Sequence, residues 1–280
     1  MSTDLQNQIQ RLIEAWHKSV GVSCFPGLFD SVCPIPFFGN IEANSNNNDN
    51  HLVFTLGANP SNKEFLNHKR ELLNKDNNRF DDICKKGKLL SANELWSTCN
   101  QYFERRPYAK WFGAENGSKI EGLLNTEEID ASYYWNINKT NNKTNRSVHI
   151  DLMPFPTLCK FTEIQNNPFF QMLIVSYGIP LIAQLIKEFH PHKVICISTF
   201  VCESLLETIP GKNGVKYYTG NYGGVPFIGS SIYYPNSTIK YNPEDVAKQM
   251  NSYLKIKCQQ KKNTFLGGID FRYVLTQYLK

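Results

Sequence analysis

No two of the eight cysteines in this 280-residue chain are spaced as CxxC, and only Cys196 and Cys202 lie near each other. That argues against structural zinc and iron–sulfur frameworks, which need close cysteine or histidine pairs. A long unbroken apolar run is missing too. The most apolar stretch, 172–186, contains Ser176, Tyr177, Gly178, Pro180 and Gln184. It reads as too short and too polar to span a bilayer. The N-terminus, MSTDLQNQIQRLIEAW, is polar and acidic where a secretory signal is basic and then apolar. The expectation is a cytoplasmic protein with reduced thiols, nucleoid-associated if bacterial. Asn138-Lys139-Thr140 and Asn236-Ser237-Thr238 match glycosylation acceptors, a chemistry that needs a secretory route. Strong charge is absent as well. A net charge of +5 permits an anionic partner but falls short of the basic footprint of a dedicated DNA-binding domain. No internal repeat is visible.

Hydrophobic residues at 41% and charged residues at 20% are ordinary for a globular protein. Residues 5–20 set Ile9, Leu12, Ile13 and Trp16 at helical spacing behind the capping run Ser2-Thr3-Asp4. Residues 21–40 read as an ordered loop on the core, and the Asn-rich 42–50 as an exposed one. Residues 52–56 are a short apolar run with β-branched and aromatic members, a buried strand. Further strands are expected at 147–153, 193–198 and 225–234. Helices are expected over 61–74, 92–103 and 243–256, with another beginning in 203–208. A long apolar helix over 169–189 should be interrupted by Gly178 and Pro180, as a kink or as two pieces. Residues 105–112 mix Arg105, Arg106 and Lys110 with Tyr108, Trp111 and Phe112, a mixture that could contact a nucleic acid backbone but reads first as core aromatics flanked by solvated charge. Strands separated by helices predict an α/β fold: a three-layer α/β/α sandwich with a mainly parallel central sheet of about four strands.

Three strand ends carry polar motifs. In Gly57-Ala58-Asn59-Pro60-Ser61, Gly permits a tight turn and Pro60 fixes φ. Asn59 is thereby held at the carboxyl end of a strand, the edge where open α/β sheets bind ligands. The plain alternative is a strand-to-loop turn. His149-Ile150-Asp151-Leu152 puts a carboxylate inside an apolar strand, which is costly unless it is hydrogen-bonded or used. Here the plain alternative is a helix cap or an Arg partner. Tyr234-Pro235-Asn236-Ser237-Thr238 breaks the last expected strand. The order and spacing of the three resemble the uracil-DNA glycosylase superfamily. That family has a first motif of Gly-x-(Asp or Asn)-Pro-(Tyr or Gly), a mid-chain strand ending in a base-reading Asn, and a late His-Pro-Ser or Asn-Pro-Ser loop. The branches with Gly-x-Asn-Pro are nearest. The resemblance covers residues 38–257.

What the resemblance implies is one glycosylase-like domain over 1–280, with a helical and loop extension at 1–50. The activity it implies is a monofunctional DNA N-glycosylase that leaves an abasic site. The protein would be a monomer without cofactor or membrane, followed by an abasic-site endonuclease. Asn59 would position the attacking water. Tyr234 stands where the family often has His, a departure that bears on catalytic power. Gly57 and Ala58 would line the base pocket, and Phe80 would stack on the flipped base. Pro60, Lys63, Pro235, Asn236, Ser237, Thr238 and Ile239 would meet DNA, with Thr238 or Ile239 near the gap left by the base. Lys63 is otherwise a solvated lysine or a Schiff-base former. Two departures concern the base itself. Asp151 replaces the base-reading Asn, and an ionised carboxylate only accepts, which suits the amino group of cytosine. Ser61 is small where one branch has Tyr against the pyrimidine C5 edge. Together they favour a C5-modified cytosine, a base found in viral DNA, and hence a defence role. The alternatives are a uracil or mismatched-thymine repair enzyme, a non-catalytic modified-base or DNA binder, and an enzyme of free nucleosides.

Overall fold

A computed structural model describes residues 1–19, 32–42, 52–69, 71–73, 80, 89–104, 107–112, 119–133, 145–211, 214–231, 242–253 and 270–280. Its strands are β1 (Leu52–Gly57), β2 (Ala131–Ser132), β3 (Asn145–Asp151), β4 (Lys193–Cys196), β5 (Glu207–Pro210), β6 (Lys216–Tyr222) and β7 (Val225–Ser230). Its helices are α1 (Thr3–Ser19), α2 (Ala92–Asn100), α3 (Ala109–Phe112), α4 (Lys119–Leu124), α5 (Phe161–Ile164), α6 (Pro168–Leu173), α7 (Ile179–Phe189), α8 (Thr199–Leu205), α9 (Pro243–Tyr253) and α10 (Phe271–Leu279).

The fold is α/β, built on a seven-stranded mixed sheet in the order β2-β3-β1-β4-β7-β6-β5. The four expected strands are its middle, β3-β1-β4-β7, and all their pairings are parallel. The count of about four was too low. The short β2 adds to one edge, and β6 and β5 extend the other edge antiparallel. All six residues of β1 are buried, as a strand covered on both faces requires. After β1 the chain places β3 on one side and β4 on the other. That makes β1 a topological switch point, whose crevice opens at the carboxyl ends of the strands.

Several local expectations need correction. Residues 61–74 do not form a helix beyond the 3₁₀ turn Asn62–Glu64. The Asn67 side-chain oxygen takes the N–H groups of Lys69 and Glu71, and Leu66 bridges to Leu72, so the chain turns back on itself. Residues 203–208 end a helix rather than begin one, since Leu206 is extended and β5 follows. α9 is not the last helix; α10 follows, with the Asp270 carboxylate capping the N–H groups of Arg272 and Tyr273. The expected interruption of 169–189 is a π-helical turn, Ile174–Gly178, between α6 and α7. The whole run, Pro168–Phe189, is long and apolar enough by composition to cross a membrane, in contrast to the shorter stretch 172–186, but 67% of its qualifying 18-residue window is buried inside the fold. It packs against α1 and α10. Leu5, Ile9 and Leu12 of α1 belong to the same hydrophobic core as β1 and α10, so α1 is integral to that core.

Candidate functional site

A cavity of about 340 Å³ opens at the carboxyl ends of β1, β3 and β4. Its floor is the end of β1 and the turn after it, with Asp151 and His149 from β3 to one side and Ile197-Ser198 after β4 to the other. Hydrogen bonds beyond the strands hold this edge together. Leu152 N and Met153 N donate to Gly57 O and Ala58 O, each at 2.9 Å, and Ile197 N donates to Leu56 O at 3.0 Å.

Asn59 is half-buried and fixed. Its Nδ2 donates to Thr157 Oγ1 at 2.9 Å, and that hydroxyl donates to Cys159 O at 2.9 Å. Since the hydroxyl has one proton, already given to Cys159 O, it must accept from Asn59. The amide orientation follows, and Oδ1 is left as an acceptor with no partner among the described residues. Asn62 adds a second tie, from its Nδ2 to Leu158 O at 3.3 Å. The loops after β1 and β3 are thus braced against each other.

Asp151 is 2% exposed. Its Oδ1 lies 3.3 Å from His149 Nε2, and its buried Oδ2 has no hydrogen-bond partner among the described residues. A buried carboxylate oxygen without a partner, in the wall of a cavity, is a place where a ligand N–H is wanted. On its other ring nitrogen, His149 Nδ1 is 3.0 Å from Thr55 Oγ1, which also bonds Tyr133 Oη. Gly57 makes room for this pair. A Cβ there would stand 2.4 Å from Asp151 Oδ1 and 2.9 Å from His149 Cε1.

Of the residues singled out in the sequence, Gly57, Ala58, Asn59, Ser61, Lys63 and Asp151 come together on this cavity. Pro60 is buried and forms no part of its wall. Phe80 is a correction. It is fully buried, stacked on Tyr102 at 5.8 Å and packed against Phe38 and Phe65, so it belongs to the core behind the site. The planar wall comes instead from Tyr108, Trp111, Phe112 and Phe161. Tyr108, Trp111 and Phe112 therefore face the cavity, which differs from the expectation of core aromatics flanked by solvated charge, while Arg105 and Arg106 lie outside the described residues. Tyr234, Pro235, Asn236, Ser237, Thr238 and Ile239 lie outside the described residues, as do the Asn-rich loop at 43–50 and the basic patch at Lys255, Lys257, Lys261 and Lys262.

Sequence reasoning missed His149, which sits two residues before Asp151 and so on the same face of β3. It also missed Glu64, a buried carboxylate in the wall that takes the Tyr102 hydroxyl at 2.8 Å. Lys63 and Lys160, both exposed, line the cavity as well. Burial, and then the charge of Glu163, push the Cys159 thiol up from its ordinary value, which keeps it protonated and a poor nucleophile. Among the described residues, no group of three or more His, Cys, Asp or Glu side chains is arranged to hold a metal ion. Compared with known protein families, curated proteins and solved structures, the chain matches none.

Proposed function

We propose that the protein is a DNA N-glycosylase that hydrolyses the N-glycosidic bond of a flipped pyrimidine, with C5-modified cytosine the favoured base. One observation carries the reading: Asn59 with an unused amide oxygen and Asp151 with an unused carboxylate oxygen line one aromatic-walled cavity. Its volume lies in the ~300–1,000 Å³ range of small-molecule sites. The flipped base enters between the aromatic rings. Asp151 Oδ2 accepts from the exocyclic amino group. As the C1′–N1 bond breaks, its electron pair leaves with the base and the sugar gains oxocarbenium character. Asn59 Oδ1 orients the water whose oxygen bonds C1′, and the proton that water loses ends on the released base. Asn59 is a weak base, so the rate depends on preorganised electrostatics rather than on deprotonation. Ser61 is short, and its Oγ is engaged by Lys63 N at 3.3 Å, which leaves room beside the pyrimidine C5. Helices on both faces of the sheet would complete a three-layer sandwich. The abasic product calls for a downstream abasic-site endonuclease, and a modified-cytosine substrate fits defence against foreign DNA.

The test is a panel of DNAs bearing uracil, mismatched thymine, cytosine and 5-substituted cytosines, treated with protein and then with alkali to break abasic sites. Strand breaks at 5-substituted cytosine are expected; no breaks at any base would sink the proposal. Asn59→Ala should lower turnover about 10²-fold, the scale of losing one preorganised polar group, with DNA affinity kept. Full turnover in that variant would remove Asn59 from the mechanism. Asp151→Asn should move preference towards uracil by roughly 1–3 kcal/mol, the worth of one base-reading contact. An unchanged preference would remove Asp151 from base reading.

A further inference from the structure

Cytosine presents an acceptor, N3, beside its amino donor, whereas uracil presents N3–H beside an acceptor. A carboxylate offers acceptors only, so Asp151 answers half of the cytosine edge. His149 lines the same cavity. Its imidazole is seated by Phe38 and Phe112, with ring centroids 5.4 and 5.3 Å away. Its Nε2 lies 3.3 Å from Asp151 Oδ1, long for an N–H···O bond and easily exchanged for a better one.

The Asp151 carboxylate beside Nε2 decides where the imidazole hydrogen sits. Behind the ring, Thr55 Oγ1 bonds Tyr133 Oη, lies 3.0 Å from His149 Nδ1 and also reaches Val148 O at 3.5 Å, so this hydroxyl can serve Nδ1 as donor or as acceptor. A carboxylate oxygen 3.3 Å from Nε2 calls for hydrogen on that nitrogen, and a neutral imidazole with hydrogen there accepts at Nδ1 from Thr55. The other neutral tautomer would set a bare Nε2 lone pair against the Asp151 carboxylate. An imidazolium carries hydrogen on Nε2 as well.

We infer that His149 and Asp151 act as one donor–acceptor unit: His149 Nε2–H for a pyridine-type ring nitrogen, and Asp151 Oδ2 for the amino group beside it. The ligand class is a flat heterocycle with that amidine-like edge, which cytosine and its C5-substituted forms carry at N3 and N4, and adenine at N1 and N6. Uracil meets the unit donor to donor and acceptor to acceptor. His149 is then a specificity-determining residue, with Thr55 and Tyr133 as positioning residues. The inference rests on the base-reading role proposed above for Asp151 and adds the second half of the reader.

Two measurements test it. Ring nitrogen–proton NMR correlations of the six histidines, with the His149 signal assigned by its loss in His149→Leu, should show hydrogen on Nε2. Hydrogen on Nδ1 alone would overturn the inference. Binding is then measured with short oligonucleotides carrying one 5-methylcytosine, adenine or uracil, with fluorine on that sugar's C2′ to block hydrolysis. The wild type should prefer an amino-bearing base over uracil by tenfold or more. His149→Leu should lose that preference, Thr55→Val should weaken it, and His149→Gln, which keeps an N–H donor, should retain part of it. Equal binding of all three bases by the wild type, or a preference that survives in a folded His149→Leu, would overturn it. Selective binding without cleavage removes the glycosylase reading and leaves this one standing. Cleavage with a selectivity indifferent to His149 does the reverse.

Discussion

A Cβ on Gly57 would meet Asp151 Oδ1 at 2.4 Å and His149 Cε1 at 2.9 Å, distances that real side chains do not tolerate. Gly57→Ala should therefore push both groups off the β1 backbone. The expected loss is about 1–3 kcal/mol of stability, as for ordinary overpacking, together with loss of the proposed base selectivity. Urea unfolding and the DNA panel would read both, and a variant with unchanged stability and selectivity would dismiss the close approach. Part of this site is legible in the amino-acid sequence. Asn59 and Asp151 stand out there because a polar group at the end of an apolar strand has few structural uses. His149 does not, since a histidine in an apolar strand reads first as a packed core residue, and its pairing with Asp151 needs the shared strand face. Phe80 is misplaced by sequence reasoning because sequence cannot tell an aromatic on the cavity wall from one packed behind it.

Gly178 plays the corresponding part between elements. A Cβ there would lie 1.8 Å from Leu152 O, a backbone atom just past Asp151 that cannot swing away. The π turn before α7 thus presses directly on the turn that carries the site. Gly178→Ala should be destabilising at or above the ~1–3 kcal/mol of ordinary overpacking, while Met172→Ala, at a half-exposed position on α6, should stay within about 0.5 kcal/mol. Thermal or urea unfolding compares them, and equal stabilities would show that the helix simply shifts. The four central strands are legible as short apolar runs between turn signals. β5 is not. Its Glu207-Thr208-Ile209-Pro210 is half-exposed and ends in proline, as only an edge strand permits. β6 and β7 meet at the two-residue Gly223-Gly224 turn, a hairpin signal present in the sequence that the four-strand expectation passed over. Residues 61–74 fail in the opposite way, because Asn67 satisfies backbone N–H groups that a helix would have used.

A single hydrophobic core runs from Leu5 in α1 to Leu275 in α10, so titration of one buried group should be felt in the stability of the whole molecule. Glu121 is that group. It sits in α4, 4% exposed, and takes hydrogen bonds from Ser132 Oγ, from Asn125 Nδ2 at 3.0 Å and from Tyr133 N at 3.3 Å. It thereby ties the edge strand β2, and Tyr133 behind His149, to the helix. Burial outweighs these donors and raises its carboxyl above the ordinary 4.5. The folded protein consequently holds this proton more tightly than the unfolded chain does. The stability gained from that proton is fully present below 4.5 and is lost as pH rises through the higher folded value. Glu121→Gln cannot titrate, so melts of both proteins from about pH 4 to about pH 8 isolate the effect. The melting temperature of the wild type relative to Glu121→Gln should be most favourable at the acid end, fall as pH climbs, and level off once Glu121 is ionised in the fold. A relative stability that instead rises with pH would mean that Ser132, Asn125 and Tyr133 hold the carboxylate better than water does, reversing the balance of burial against hydrogen bonding at this edge of the sheet.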